Sequence, residues 1–190
     1  MQPGCVPVLT ADLATCRPLN IQLLCTLILR FRKPGNMSTH TFLKYHVVFG
    51  TQYRRPLIHV RFRKELYAYI GGIMNGEGGH IDVIGGVEDH VHILCGIPPR
   101  IAVSDMLRAI KSSSSRWINE NRHCTGEFRW QRGFAAFSVS RSNVPDVATY
   151  IDCQEEHHHR KSFVDELRDL LIRHEIQLEE KYLFEHEHCG

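Results

Sequence analysis

Apolar residues beyond position 40 recur with two different periods, which divides this part of the chain into strands and helices. Residues 43–51 alternate, with Tyr45, Val47 and Phe49 on one face of a predicted strand. Apolar side chains in 61–76 recur every three or four positions, which is typical of a helix with one buried face. The same periodicities predict strands at 43–51, 80–87, 90–97 and within 128–140, and helices at 61–76, about 104–121, about 146–159 and about 163–175.

The order of these elements favours a single α+β domain. The strands at 80–87 and 90–97 are joined by Glu88-Asp89, a connection of hairpin length. The series strand, helix, strand, strand, helix, strand, helix, helix predicts helices packed on an antiparallel sheet. With 190 residues, 43% of them hydrophobic, and no internal repeat or linker, the chain can bury one core.

The first 36 residues have a different character. Their apolar run at 21–29 is too short to span a bilayer, and the basic residues at 30–33 follow the run, whereas those of a signal peptide precede it. Pro34-Gly35-Asn36 then interrupts the chain just before Met37. We therefore interpret residues 1–36 as an extension that is disordered or lies upstream of the true start, residues 37–190 as the domain with a helical tail, and expect no membrane association.

Charge is unevenly distributed although the net charge is only +2. Lys and Arg outnumber Asp and Glu by six to one over 41–69 and by eight to three over 100–141, whereas 150–190 carries five basic and eleven acidic residues. A basic middle with an acidic end is consistent with a positive face for a polyanion, although an ordinary charged surface explains it equally well.

The seven cysteines are scattered and include no Cys-x-x-Cys pair. An odd and unpatterned set is typical of reduced thiols, not of a disulfide framework or a zinc knuckle. We therefore expect a cytoplasmic protein.

His90 and His92 are the first candidates for chemistry. Because side chains alternate along a strand, both imidazoles point to one face while Val91 and Ile93 point to the other. Two imidazoles on one face can bind a divalent metal. Such a pair is more often structural, so its role depends on a third ligand and a nucleophile.

The predicted helix after Asp146 offers both. Tyr150 and Gln154 are four residues apart and therefore neighbours on one helix face. A tyrosine hydroxyl, with a pKa of about 10, attacks phosphorus only where a metal polarises the phosphate. A glutamine oxygen with two imidazoles suits Mg or Mn. Of the three consecutive histidines at 157–159, which point in different directions, His158 is the one expected to approach this site.

Four motifs in order resemble those of the small single-tyrosine HUH transposases of bacterial insertion sequences, including the repeat-associated tyrosine transposases. The motifs are Asp89-His90-Val91-His92-Ile93-Leu94, Lys111 followed by Ser112 to Ser115, Trp130-Gln131-Arg132-Gly133-Phe134 continuing to Ser140, and Tyr150-Ile151-x-x-Gln154-x-x-His157-His158. The resemblance covers residues from about Thr39 to Phe184.

The resemblance implies a ferredoxin-like fold with the catalytic tyrosine on a C-terminal helix. It implies that Tyr150 is the nucleophile and that His90, His92 and Gln154 bind Mg or Mn. Members of the family cleave single-stranded DNA, leaving a covalent 5′-phosphotyrosine and a free 3′-hydroxyl that later reseals the strand. They work as homodimers and bind DNA hairpins near the ends of the element. We expect such a hairpin to contact the basic residues Arg54, Arg55, Arg108, Lys111 and Arg116.

Three alternatives to a mobile-element transposase stay open. A domesticated relative would process repeat hairpins without moving its own gene, which flanking DNA would reveal. A nucleic-acid-binding protein with a dead site is disfavoured because Tyr150, His90, His92 and Gln154 are all present. A metal hydrolase that uses the histidines without the tyrosine is separated by changing Tyr150 to Phe.

Overall fold

A computed structural model describes residues 40–158 and 161–177, with the exception of the His157 side chain. The expectations for residues 1–36 and for the end of the helical tail lie outside these residues. The described part beyond His40 belongs to one compact unit. Within it, no helix combines the length and apolar character that crossing a bilayer requires.

Four strands and five α-helices make up this part of the chain, and the predicted α+β class is confirmed. The elements are β1 (Lys44–Gly50), α1 (Val60–Gly76), β2 (His80–Gly86), β3 (His90–Gly96), α2 (Val103–Glu120), β4 (Ala135–Ser138), α3 (Val144–Asp152), α4 (Gln154–His158) and α5 (Phe163–Arg173). The strands form one antiparallel sheet in the order β2-β3-β1-β4. The first six elements thus have the β-α-β-β-α-β order of a ferredoxin-like fold.

The main hydrophobic core lies between one face of the sheet and helices α1 and α2. Val47 and Phe49 from β1 and Val91, Ile93 and Cys95 from β3 contribute the strand side of this core. The helix side consists of apolar residues at helical spacing: Phe62, Leu66, Ile70 and Met74 from α1, and Met106, Leu107, Ile110 and Ile118 from α2. The periodicity of these four elements in the sequence is therefore the cause of their burial.

The second face of the sheet is covered by α3, α4 and α5, and its packing is partly polar. Val48 and Phe137 pack against α5, and Leu94 packs against α3. Between these apolar contacts, β1 and β3 present histidines at the positions where a sheet normally buries aliphatic side chains. The second face is therefore where the polar candidates of the sequence meet.

Two predicted elements differ from the observed ones. The helix predicted at about 146–159 is two helices, because Cys153 leaves helical geometry at φ −91° and ψ 15°. The strand predicted within 128–140 is limited to β4, and Trp130 makes only an isolated bridge to Thr51. In this segment Trp130 Nε1 donates to Ser114 Oγ of α2 at 2.9 Å, so a side-chain contact replaces the strand ladder.

The helix at 103–120 begins close to the predicted position. Its N-cap residue is Ala102, and no side chain caps the N-terminus. Asp105 in the first turn provides the negative charge that favours a helix N-terminus instead.

Gly85 determines how closely α3 approaches the sheet. It pairs with His92 across the β2-β3 ladder. A Cβ atom on Gly85 would lie 2.3 Å from the backbone oxygen of Ile151. Only the absence of a side chain at this position lets the C-terminal end of α3 lie against the sheet beside His92.

Replacing Gly85 with Ala should therefore destabilise the protein by about 1–3 kcal/mol, because the added methyl group meets a backbone atom that cannot rotate away. Gly72→Ala is the matched control, since a Cβ atom at this exposed position in α1 meets no atom within 4 Å. That change should stabilise the helix by about 0.5–1 kcal/mol. Urea unfolding of both variants measures the difference, and equal stabilities would contradict the proposed contact.

Candidate active site

His90 and His92 both lie on the second face, as the strand alternation predicts. β3 is buried along its whole length between β1 and β2. The two imidazole rings are 0% exposed, with centroids 5.0 Å apart. The structure thus confirms that both side chains share one face.

The orientation of His90 is set by its neighbour Asp89. His90 Nδ1 lies 2.6 Å from Asp89 Oδ1. Although burial favours the neutral acid, the hydrogen bond with His90 holds the pKa of Asp89 below its usual value, so the carboxylate accepts and Nδ1 donates. A neutral ring then carries its lone pair on Nε2, as in the carboxylate–histidine pairs that orient metal ligands.

His92 is paired with a third histidine, His46 of β1. His46 Nε2 lies 2.9 Å from His92 Nδ1, and the two rings stack with centroids 5.2 Å apart. Burial lowers the pKa of His92 to about 4 and that of His46 to about 3. Both rings are therefore neutral near pH 7, which is the state in which an imidazole binds a metal.

Tyr150 and Gln154 reach the histidines from successive helices. Tyr150 lies near the end of α3, and Gln154 is the first residue of α4. The Tyr150 ring stands nearly perpendicular to the rings of His92 and His46, with centroid distances of 6.0 and 6.1 Å. Gln154 is 1% exposed. The structure therefore brings together the four residues for which the sequence predicted chemistry.

The Oε1 atom of Glu166, on α5, connects Tyr150 with Gln154. This oxygen accepts hydrogen bonds from the Tyr150 hydroxyl and from Gln154 Nε2, the latter at 2.9 Å. Burial, together with the negative charge of Glu166, raises the pKa of Tyr150 above its ordinary value. The hydroxyl therefore keeps its proton in this arrangement.

The other oxygen of Glu166, Oε2, faces three imidazoles. His158 Nε2 donates to it at 3.0 Å, while the Nε2 atoms of His92 and His90 lie 3.3 and 3.7 Å away. His158 Nδ1 also donates, to a backbone carbonyl at 2.9 Å, so its ring is protonated. Despite burial, Glu166 accordingly raises the pKa of His158. These neighbours hold the pKa of Glu166 far below its usual range, although burial alone would raise it.

The donor set fits a divalent metal. Among the described side chains, His90 Nε2, His92 Nε2 and Gln154 Oε1 are buried polar atoms with no hydrogen-bond partner. Buried polar atoms are nearly always paired, so three partnerless atoms in one place indicate a ligand. Ligand atoms of His90, His92, His158 and Glu166 also lie within 4.8 Å of one another. A metal-ion site at this position is consistent with both observations.

A cleft of about 520 Å³ lies against Tyr150. It is bounded by β4, α3 and α5, and His46, Asn143, Arg173 and His174 contribute to its walls. The tyrosine is therefore accessible from one side while the partnerless histidine atoms are buried on the other.

Of the five basic residues predicted to contact DNA, Arg54 lies nearest to the site. Its guanidinium lies 5.1 Å from the centre of the Phe163 ring, which in turn stacks on His90 at 4.2 Å. Arg55, next in the chain, is exposed. Arg54 is therefore connected to His90 through the ring of Phe163.

The other three basic residues belong to α2, on the opposite side of the sheet from Tyr150. Arg108 and Arg116 are exposed, and Arg108 pairs with Asp105. Lys111 Nζ donates to the backbone oxygens of Gln131 and Gly133, both at 2.6 Å. Lys111 thus holds a loop, a structural role that its position in the sequence did not indicate.

Two site residues, Glu166 and His46, were missed by the sequence predictions. Each of them occupies a position that the periodicity of its helix or strand marks as buried. Glu166 follows Phe163 by three positions and precedes Leu170 by four, so it is a charged residue on the buried stripe of a helix. His46 alternates onto the same face as Val48, the face that packs against the second layer of helices.

Comparisons with known proteins identify the family of this chain. The sequence profile of the family described as "Transposase IS200 like" matches residues 39–154, more than half of the chain. This chain therefore belongs to the family of IS200-like transposases, and the resemblance drawn from its motifs is confirmed.

Two relatives and one solved structure show the extent of the similarity. The transposase for insertion sequence element IS200 of Salmonella typhimurium is 29% identical over 119 residues, which cover 60% of this chain and 77% of that protein. The ISDra2 transposase TnpA of Deinococcus radiodurans is 23% identical over 119 residues, covering 60% and 85%. The structure of a REP-associated tyrosine transposase bound to a REP hairpin has a TM-score of 0.50 at 14% identity, over 65% of this chain and 74% of that chain, and so shares the fold.

Arg63 of α1 fixes the position of α4, and with it Gln154. The guanidinium is almost completely buried, and it pairs with Glu155 at 2.5 Å and with Glu88 at 3.0 Å. Glu155 follows Gln154 in α4, and Glu88 lies in the β2-β3 connection just before His90. One cation therefore joins the segment that carries the glutamine to the start of the histidine strand.

Arg63→Met should lower the free energy of unfolding by about 1–3 kcal/mol, because it removes charge-assisted hydrogen bonds to both glutamates. The matched control is Arg129→Met, whose pair with Glu127 is exposed and should leave the stability unchanged within error. Urea unfolding measures both. Equal effects of the two changes would show that Arg63 does not hold α4.

Proposed function

We propose that this chain cleaves and rejoins single-stranded DNA through a covalent 5′-phosphotyrosine on Tyr150, as a metal-dependent transposase. One observation carries the proposal: the Tyr150 hydroxyl and the partnerless atoms of His90, His92 and Gln154 meet in a single buried cluster. Membership in the IS200-like family supports the reaction class.

In this proposal three residues hold a metal and Tyr150 attacks the DNA. His90, His92 and Gln154 would hold Mg or Mn, and a metal bound there polarises the scissile phosphate and stabilises charge on the leaving 3′ oxygen. The Tyr150 oxygen attacks phosphorus, the bond from phosphorus to the 3′ oxygen breaks, and that oxygen ends with the proton that the tyrosine loses. Because the phosphotyrosine ester retains the energy of the phosphodiester, the 3′-hydroxyl can reverse the step without a nucleotide cofactor.

The DNA partner in this proposal is a single strand that carries a hairpin. The support is the neighbour in fold that was solved bound to a REP hairpin, together with the basic residues of α2 and the 52–55 segment. The family resemblance also implies a homodimer, and this stays a prediction. A relative that processes repeat hairpins would use the same tyrosine, so the experiments below test the chemistry that both share.

Tyr150→Phe should abolish covalent adducts with a labelled single strand while leaving DNA binding nearly unchanged, because it removes the attacking oxygen and no phosphate contact. The adduct is measured as a shifted band on a denaturing gel and binding as a shift on a native gel. Tyr69→Phe is the matched control, since Tyr69 stacks on Trp117 in the other helical layer. An adduct formed by the Tyr150→Phe protein would exclude Tyr150 as the nucleophile.

His92→Ala should stop cleavage even in excess Mg or Mn, because a neighbouring residue cannot supply its Nε2 from the same strand face. Gln154→Ala should reduce cleavage less, since water can replace a neutral oxygen ligand. Single-turnover rates across a metal titration measure both. If Gln154→Ala were more damaging than His92→Ala, the assignment of the histidines as the principal ligands would be wrong.

A further inference from the structure

Glu166 is held at the site by the packing of α5. Phe163, one turn before it, stacks on His90, and Leu170, one turn after it, packs with Phe137 on the second face of the sheet. The carboxylate is 1% exposed. Burying a charge costs free energy unless the charge is paired. The groups around the Glu166 carboxylate must therefore compensate its negative charge.

The surroundings of Glu166 Oε2 leave one contact unexplained. His90 Nδ1 donates to Asp89 Oδ1, and the Nε2 atom of the same ring faces Glu166 Oε2 at 3.7 Å. His90 Nε2 is a buried polar atom with no hydrogen-bond partner. A cation between Nε2 and Oε2 would be bound by both atoms.

The distances allow one ion to be shared. The ligand atoms of His90, His92 and Glu166 lie within 4.8 Å of one another. Two ligands on opposite sides of an Mg ion are about 4.2 Å apart, so small side-chain movements bring all three atoms to bonding distance. His158 differs from the others, because both of its ring nitrogens already have hydrogen-bond partners, the Lys161 carbonyl and Glu166 Oε2.

We propose that Glu166 is a further ligand of the metal site, binding through Oε2 beside His90 and His92, while its Oε1 holds the Tyr150 hydroxyl. The inference rests on the proposed function, since it adds a carboxylate to the predicted set of His90, His92 and Gln154. One side chain then links the nucleophile to the metal. A carboxylate is also the ligand that Mg and Mn prefer over imidazole.

This assignment makes α5 part of the catalytic centre. The family profile ends at Gln154, so α5 and Glu166 lie beyond the matched segment. The chain would therefore build its metal site from the shared fold and from a helix that follows it.

A competing explanation is that Glu166 occupies the position of the scissile phosphate. The carboxylate, like a phosphate, is an anion surrounded by the histidines and by the Tyr150 hydroxyl. Under this explanation Glu166 would exclude DNA and would not bind the metal. Removing the carboxylate weakens metal binding under the first explanation and leaves it unchanged under the second.

The test is Mn²⁺ binding to the full chain without DNA, measured by the electron paramagnetic resonance signal of free Mn²⁺. Glu166→Ala should raise the Kd by about 10- to 100-fold, and Glu166→Gln, which keeps one oxygen and the size of the side chain, by less. Asp169→Asn is the matched control, because it removes a carboxylate from the same helix that pairs with Lys161 away from the site. It should leave the Kd unchanged.

Each result has a distinct meaning. A wild-type Kd in both Glu166 variants overturns the proposal, and faster adduct formation in them would identify Glu166 as a competitor of DNA.

His92→Ala in the same assay distinguishes a failure of the role of Glu166 from a failure of the metal site itself. If it raises the Kd while the Glu166 variants do not, only the role of Glu166 fails; if it too has a wild-type Kd, the proposed metal site itself fails. Circular dichroism establishes that each variant is folded, and Glu166→Gln carries the test should Glu166→Ala unfold.

Discussion

The buried negative charge of Glu166 organises the helices that cover the second face of the sheet. Glu166 is almost inaccessible to solvent, and a carboxylate in that position is tolerated only if its neighbours compensate it. Its partners come from two other helices and from the sheet: Tyr150 from α3, Gln154 and His158 from α4, and the histidines of β3. The relative positions of these elements are thereby coupled through one side chain. The apolar contacts of α5 with Phe137 and Val48 place the helix, and the hydrogen bonds of Glu166 determine its rotation.

The main core between the sheet and helices α1 and α2 was predictable from the sequence because its residues follow local periodicity. Strand alternation at Val47 and Phe49 and helical spacing at Leu66 and Ile70 each report burial against a single apolar surface. The break at Cys153 was not predictable in this way. It accompanies the pairing of Glu155 with Arg63, residues 92 positions apart, and periodicity contains no information about such a contact.

The site was predictable to the extent that its members are close in sequence. His90 and His92 are two residues apart, and Tyr150 and Gln154 are four apart, so strand and helix geometry alone places each pair on one face. Glu166 and His46 join the site only through packing of separate elements. Lys111 is a further example, since its spacing in the sequence does not reveal that its ammonium donates to two backbone oxygens. Local spacing identifies candidate residues, and tertiary contacts decide their use.

The contrast between Arg63 and the arginines of α2 has a consequence for the ionic strength at which the protein is studied. In 0.1 M salt the field of exposed charges such as Arg108 and Arg116 decays over a distance of about 10 Å. Salt ions have little access to the guanidinium of Arg63, which is buried. Contacts of exposed arginines with phosphates weaken as counterions compete, while the pairing that positions α4 persists. The response of DNA binding to salt therefore reports on the outer surface of the protein. A loss of affinity at high salt does not show that the active site has lost its structure.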